Sequence, residues 1–276
     1  MDLYKAVSYD LSRILTLRYS SSFGMSSRLF SRSVRQDIYA IYGLVRIADE
    51  IVDSYNGADR QSLLQDLETE VNAAIKRGYS TNPIVHAFAL TATQYAIEAS
   101  LIAPFFASMR MDLVPTLYKD KDYATYIYGS AEVIGLMCLK VFSQNDSQLY
   151  TTLSGGARVL GAAYQKVNFL RDMASDYNEL GRLYFPNVEY SKFSEKDKQT
   201  IIASIEDDLD HAEASLRQLP KNSKAAVMLS VKYYRRLLKQ LKKASVADIK
   251  SRRVRINAFE KLWLFALTAL RYKVAG

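Results

Sequence analysis

The sequence predicts an all-α protein. Apolar residues recur at helical spacing along nearly the whole chain, and no strand–helix–strand alternation is present. Glycine and proline are also too scarce, at 11 and 5 in 276 residues, to punctuate a β-structure. With 49% apolar residues the chain can fill a large core, and residues 1–276 read as one domain near the upper size for a single core.

Taken in order, residues 1–20 place Leu3, Val7, Leu11, Ile14, Leu15 and Leu17 at helical spacing, and Ser20-Ser21-Ser22-Phe23-Gly24 interrupts that helix. A second helix is predicted over 33–55, with Ser33 as its cap and Asp37 in its first turn. Residues 60–77 alternate charged and apolar groups as a surface helix does. Pro83 opens a long apolar helix interrupted near Pro104, and a further helix ends near Pro115. Helices over 122–143, 147–179, 194–217, 222–244 and 254–273 complete the series. Gln94, Glu98 and Arg110 break one apolar stretch and Lys261 and Arg271 another, so neither reaches the ~18 uninterrupted residues of a membrane span.

Cys138 is the only cysteine, which excludes an internal disulfide and a cysteine-based metal site. Two histidines, His86 and His211, argue against a histidine-rich zinc site. The opening Met-Asp-Leu-Tyr-Lys lacks the layout of a signal peptide, so a cytoplasmic location is expected. Net charge is +8, with Lys232, Arg235, Arg236, Lys239, Lys242, Lys243, Lys250, Arg252, Arg253 and Arg255 concentrated in the last third. Either this basic cluster meets a phosphate-bearing partner (nucleic acid, anionic lipid or a diphosphate ester) or it is a solvated helix face.

Two segments carry the chemistry. In Arg46-Ile-Ala-Asp49-Glu50-Ile-Val-Asp53, residues Tyr42, Arg46, Asp49 and Asp53 form one helical stripe within an otherwise apolar surround. In the second, Gly161, Gln165, Asn168, Asp172 and Asp176 form another, flanked by Leu160, Val167, Phe169, Leu170 and Met173. Aspartates at i and i+4 stand one above the other. Such stripes must face a polar cavity or a partner charge, because unpaired buried carboxylates cost several kcal/mol. Oxygen donors without sulfur point to a hard cation, Mg²⁺ or Mn²⁺, that shares its coordination with phosphate oxygens. A glycosidase-type acid pair is the competing use of clustered carboxylates, but the two motifs are alike and hold no distinct acid and base.

On these residues the chain resembles the squalene/phytoene synthases over nearly its whole length. The resemblance extends to Tyr19-Ser-Ser-Ser-Phe23, Tyr39-Ala-Ile-Tyr42, Tyr126-Ile-Tyr-Gly-Ser-Ala-Glu-Val-Ile-Gly135-Leu-Met137, Leu160-Gly-Ala-Ala-Tyr-Gln165 and Arg182-Leu-Tyr184-Phe-Pro186. It implies an isoprenoid-synthase helical bundle around a central apolar pocket. It further implies that Asp49, Glu50, Asp53, Asn168, Asp172 and Asp176 bind Mg²⁺ and, through it, substrate diphosphate. Ser20, Ser22, Arg46, Asn168, Arg171 and Tyr234 would steady diphosphate oxygens, with Arg252 or Arg253 assisting. Tyr42 and Gln165 join the four aspartates as catalytic residues, Gln165 at the pocket floor. Phe23, Tyr42, Tyr126 and Tyr164 are candidates to face a carbocation.

The implied reaction joins two allylic diphosphates head to head through a cyclopropylcarbinyl diphosphate to a linear hydrocarbon. The short chain and Tyr184-Phe-Pro186 resemble bacterial phytoene synthases, which implies geranylgeranyl diphosphate as substrate and carotenoid biosynthesis as setting. Farnesyl diphosphate, giving dehydrosqualene or, with NADPH, squalene, is the runner-up, and a non-catalytic helical scaffold the distant alternative. Two departures stand out: Glu50 where the family has Asp, and Glu132 at a position usually small and apolar. Nucleic-acid binding would explain the charge but not the aspartate stripes. Trp263, Leu264 and Phe265 either pack in the core or, with the basic groups, rest on an anionic membrane surface. Oligomeric state is not legible.

Overall fold

The helix that carries the first acidic motif is buried on nearly every side, and the fold is arranged around it. The structure is a computed structural model that describes residues 2–114, 118 and 120–272. Among these residues there are thirteen α-helices, two five-residue π-helical turns, two 3₁₀ turns and no β-strand, as the sequence predicts. Helix α1 (Leu3–Tyr19) leads through α2 (Ser21–Ser26) to α3 (Arg32–Asp49), which continues into a π turn over Glu50–Ser54. Val34, Ile38, Ile41, Leu44 and Ala48 of α3 are buried among α1, α5 (Pro83–Gln94) and α8 (Val133–Ser143).

The remaining helices are α4 (Arg60–Arg77), α6 (Ala99–Met111), α7 (Asp120–Ile127), α9 (Ser147–Leu180), α10 (Glu195–Leu216), α11 (Lys224–Lys243), α12 (Val246–Ile249) and α13 (Ala258–Tyr272). The second π turn, Tyr128–Glu132, joins α7 to α8. The 34 residues of α9 span about 51 Å, long enough to contact α8, α10, α11 and the second π turn at successive levels. Gly181, at φ 65°, ends α9 in the left-handed conformation that glycine adopts without penalty and turns the chain into Arg182. The continuous helical stretch Asp120–Ser143 is long and apolar enough to cross a membrane, yet more than half of it is buried within the protein as a core element.

Several boundaries differ from the sequence reading. Only Ser20 interrupts the chain between α1 and α2: its extended backbone ends one helix while its hydroxyl accepts from Phe23 N–H and starts the next. The cap of α3 is Ser31 rather than Ser33, which instead pairs with the Ser31 hydroxyl at 2.7 Å. Asp37 lies beyond the first turn, buried, accepting from Thr91 and Tyr95 at 3.1 Å each. The break after α5 comes at Tyr95–Glu98, and Pro104 sits inside α6. The helix end expected near Pro115 lies outside the described residues.

The largest departure concerns α1. Its buried positions are Ser8, Tyr9, Ser12 and Thr16, whereas Leu3, Val7, Leu11 and Ile14 point to solvent. Small hydroxyl residues permit the close crossing of α1 over α3: a Cβ on Gly43 would already lie 3.2 Å from the Ser12 hydroxyl. Each hydroxyl is satisfied within the helix, Ser8 donating to the Tyr4 carbonyl, Ser12 to Ser8 and Thr16 to Ser12.

Part of the basic cluster is neutralised at home. Arg235 pairs with Asp210 and Glu213, Arg236 with Glu260, Lys242 with Glu206 and Arg252 with Asp248. Three of the seven cations of α11, Arg235, Arg236 and Lys242, are therefore paired with carboxylates.

Two outcomes test this packing. Gly129 lets the second π turn lie against α6, where a Cβ would collide with the Pro104 carbonyl and the Ser108 hydroxyl. Gly129→Ala should therefore lower stability by about 1–3 kcal/mol, read as a reduced urea midpoint at unchanged slope. Asp37 is raised above the ordinary aspartate value because burial outweighs its hydrogen bonds from Tyr95 and Thr91. The folded state then holds a proton that the unfolded chain has released, so this group's contribution declines as pH rises from the unfolded to the folded value. Urea melts from about pH 4 to about pH 8 should show the wild type losing stability relative to Asp37→Asn; parallel curves would contradict the assignment.

Candidate active site

Cavity and acidic motifs meet along α9. A cavity of about 320 Å³ is lined on α9 by Leu153, Gly156, Ala157, Leu160, Gly161, Tyr164, Gln165 and Asn168. That stripe rises about 22 Å along the helix, and Asp172 and Asp176 follow it on the same face. Ile38, Ile41, Tyr42 and Val45 of α3 form another wall, leading to Arg46, Asp49 and the π turn with Glu50 and Asp53. Ser130, Ala131, Ile134 and Cys138 form a third, and Tyr234 and Ser230 of α11 a fourth. At the far end the rings of Phe30 and Phe142 stack at 5.4 Å. Gly161 permits the close approach of the second π turn, since a Cβ there would lie 2.5 Å from the Ala131 carbonyl oxygen. The second π turn thus borders the cavity and the first carries the acidic residues beyond its α3 wall, in line with the frequent use of such turns at functional sites.

The carboxylates sit at the mouth of this cavity, only partly buried, and most are held by arginines. Arg46 pairs with Glu50 and lies 3.9 Å from Asp49, with its guanidinium stacked on Tyr19 at 4.2 Å. Asp172 is flanked by Arg171, at 2.9 Å from Nε, and Arg253, at 2.7 Å from Nε. Asp53 is held by Arg182 at 2.6 Å. Arg182, 4% exposed, also donates to the Val52 and Asp112 carbonyls at 2.9 and 2.6 Å. Its own backbone N–H donates to the Asp176 carbonyl at 2.9 Å. This buried arginine therefore ties the end of α9 to the π turn and brings Asp53 near Asp176.

The electrostatics follow from this crowding. Burial, and then the neighbouring Asp53, push the Asp49 carboxyl up to about 8. Burial followed by Asp172 and Asp53 push Asp176 up to about 8. Burial lifts Asp112 to about 6 against the opposing pull of Arg182 and of the Tyr126 hydroxyl, which donates at 2.6 Å. On the cationic side, burial and neighbouring arginines lower both Arg253 and Lys261, Arg171 acting on each. One rim therefore holds carboxylates that favour a cation and guanidinium groups that favour an anion.

Among the described residues no three acidic, histidine or cysteine side chains lie close enough to hold a metal by themselves. The donor set fits a Mg²⁺ ion that keeps waters and takes phosphate oxygens, better than an all-protein cage. The carboxylate repulsion that adds to burial in raising Asp49 and Asp176 is of the kind a divalent cation relieves.

The sequence-chosen residues do not all behave alike. Tyr42, Arg46, Asp49, Glu50, Asp53, Gln165, Asn168, Arg171, Asp172, Asp176 and Tyr234 lie along the cavity or its rim. Tyr234 donates to the Asn168 amide oxygen at 3.3 Å and stacks on Tyr164 at 3.7 Å. Ser20 caps α2 beside Tyr42, whereas Ser22 is partly buried and makes no hydrogen bond to this group. Gln165 is not at the floor. It lies near the mouth, 3.5 Å from the Asn168 amide, because it is one turn before Asn168 on α9. Arg253, not Arg252, reaches the site. Glu132 turns outward to Arg158 at 2.6 Å and leaves the lining to Ser130 and Ala131. Of the aromatic candidates, Phe23, Tyr42 and Tyr164 line the cavity, and Tyr126 belongs to the buried Asp112 network. Sequence reasoning missed Asp112 and the role of Arg182; the only sequence signal was Arg182's place in the Arg182-Leu-Tyr184-Phe-Pro186 segment.

Comparisons with known proteins agree with this geometry. The sequence profile described as squalene/phytoene synthase matches residues 16–260. The chain is 26% identical to 15-cis-phytoene synthase of Synechococcus elongatus, covering 97% of this chain and 94% of that protein. It is 27% identical to chloroplastic phytoene synthase 1 of Arabidopsis thaliana, over 85% of this chain but only 60% of that longer protein. Among solved structures, a dehydrosqualene synthase in complex with ligand superposes with a TM-score of 0.77 at 20% identity, covering 98% of both chains. Squalene synthase HpnC from Alicyclobacillus acidocaldarius gives 0.75 at 19% identity, covering 88% of this chain and 96% of that one; both likenesses show the shared fold. The profile match over most of the chain shows that this protein belongs to the squalene/phytoene synthase family of prenyltransferases.

Proposed function

We propose that this protein condenses two molecules of geranylgeranyl diphosphate head to head, 1-1′, through a cyclopropylcarbinyl diphosphate to phytoene, with Mg²⁺ or Mn²⁺ as its cation. The observation that carries the reading is the junction at one cavity mouth of two acidic motifs and a ring of arginines, above a long apolar pocket. Asp49, Glu50, Asp53, Asn168, Asp172 and Asp176 would hold the metal, which when bound supplies charge neutralisation to the departing diphosphate.

The chain's own residues supply the rest. Arg46, Arg171, Arg253 and Lys261 offer donors to diphosphate oxygens at the rim. Tyr234, fixed on Asn168 and Tyr164, holds that amide in place. The apolar walls exclude water from an allylic cation. Tyr42, stacked on Phe23 at 5.2 Å, and Tyr164 present aromatic faces worth roughly 0.5–2 kcal/mol each to a nearby cation. Likeness to phytoene synthases and the Tyr184-Phe-Pro186 segment support the C40 product.

A second reading keeps the chemistry and shortens the substrate. The stacked Phe30 and Phe142 rings close the far end of the cavity, which favours farnesyl diphosphate and a dehydrosqualene or, with NADPH, squalene product.

Purified protein with Mg²⁺ and either prenyl diphosphate, with and without NADPH, should yield a C40 triene from geranylgeranyl diphosphate without the nucleotide. A C30 hydrocarbon would retain the mechanism and transfer the assignment to the second reading, and no product from either would remove both. Asp172→Asn should reduce turnover by at least about 10²-fold with an unchanged thermal melt; unaltered turnover would remove Asp172 from the metal set.

A further inference from the structure

Asp112 is a buried acid for which the proposed reaction has no direct use, and two local rules oppose its placement. It caps the C-terminal end of α6, the negative end of the helix dipole, and its side chain is only 3% exposed. Replacing a buried ion pair with apolar side chains of similar volume often leaves a protein as stable or more so. Stability therefore does not account for a carboxylate here, and residues that break local rules collect at functional sites.

The partners of Asp112 show where its influence goes. One oxygen accepts from the Tyr126 hydroxyl at 2.6 Å and the other from the Tyr184 hydroxyl at 3.1 Å. The second oxygen also lies 3.6 Å from Arg182 Nη1, and the Asp112 backbone carbonyl accepts from Nη2 at 2.6 Å. Tyr184 bridges the pair, accepting from Arg182 Nη1 at 3.4 Å, and its ring is fixed by stacking on Phe169 of α9 at 4.0 Å. Nη2 donates in addition to the Val52 carbonyl at 2.9 Å, so the guanidinium is gripped between the end of α6 and the π turn after α3. From that fixed position Nη1 donates to Asp53 Oδ1 at 2.6 Å, and the Asp53 side chain, 40% exposed, opens to the mouth.

We infer that Asp112 is a positioning residue for the acidic mouth: acting through Arg182, it fixes the Asp53 carboxylate and offsets the arginine's charge against the cation that Asp53 receives. A guanidinium beside Asp53 with no counter-charge behind it would repel a divalent cation. With Asp112 behind it, the buried pair is close to neutral and the guanidinium serves as a hydrogen-bonding hold, the part that groups behind a metal ligand commonly play. The inference rests on the metal-binding part of the reading proposed above.

The test is the thermal melt of the full chain in Mn²⁺ and inorganic diphosphate, without prenyl substrate, because a ligand held only by the folded state raises the midpoint with its concentration. Asp112→Asn should need about tenfold more Mn²⁺ than the wild type for the same upshift. Tyr184→Phe keeps the ring, removes the hydroxyl between Asp112 and Arg182, and should need about threefold more; it carries the test if Asp112→Asn does not fold. Added to Arg182→Gln, Asp112→Asn should cost nothing further, because the route to Asp53 is already cut. The Mg²⁺ dependence of turnover should follow the same rank, with the loss in Asp112→Asn shrinking as Mg²⁺ is raised. An unmoved Mn²⁺ requirement in the single variants, or losses that add in the double variant, would overturn the proposal, as would a wild type whose melt ignores Mn²⁺. A protein that shows these shifts but makes no hydrocarbon would sink the proposed reaction and leave the role of Asp112 standing.

Discussion

Like charges gathered beside an apolar cavity repel, and the packing around the mouth of this protein is organised by that repulsion. Two unit charges ~4 Å apart near a protein surface interact by about 4 kcal/mol, so five carboxylates cannot share one rim without counter-charges. Arg46, Arg171, Arg182 and Arg253 answer that demand from four different segments. Arg182 is the most consequential, because it is buried and its charge is held by Asp112 and Asp53 against the cost of burial. Removing such a partner would leave an uncompensated buried charge, which is why the turn after α9 and the π turn after α3 behave as one unit.

The apolar half of the site depends on close backbone approach. Gly129 and Gly161 let the second π turn lie against α6 and α9, and Gly135 lets α8 lie against α9, where a methyl group would meet backbone oxygen. The wide turn leaves carbonyls to be satisfied from outside, and Ser108 donates to the Tyr126 carbonyl at 3.1 Å. The cavity wall formed by Ser130 and Ala131 is thus a consequence of backbone geometry as much as of side-chain choice. The acidic end and the apolar end are linked by α3 and by α9, the latter long enough to carry one face from Leu153 to Asp176.

Helix α1 shows how a helix can satisfy local rules and still invert the usual assignment. Its leucines and isoleucine mark an amphipathic helix, but the face that crosses α3 is the one with small hydroxyl residues. A close crossing selects for small volume, and hydroxyls that bond their own i−4 carbonyls enter the interior without an unsatisfied group. The same economy of polar groups appears on α11, where carboxylates of α10 and Glu260 pair with Arg235, Lys242 and Arg236.

The all-α class, nearly every helix, and the two aspartate stripes were legible in the chain because they depend on spacing within one helix, where 3.6 residues per turn fixes which side chains share a face. So were the identities of most rim residues, including Tyr42, Arg46, Asn168 and Tyr234. Four features were decided only by tertiary structure. Arg182 and Asp112 were joined across about seventy residues. Glu132 was turned outward to Arg158. Gln165 was set near the mouth, and the apolar face of α1 was left in solvent. Local spacing determines what a helix offers on each face; which face meets the core, and which distant charge meets which, depends on the volumes and charges of neighbours that the helix's own sequence does not contain.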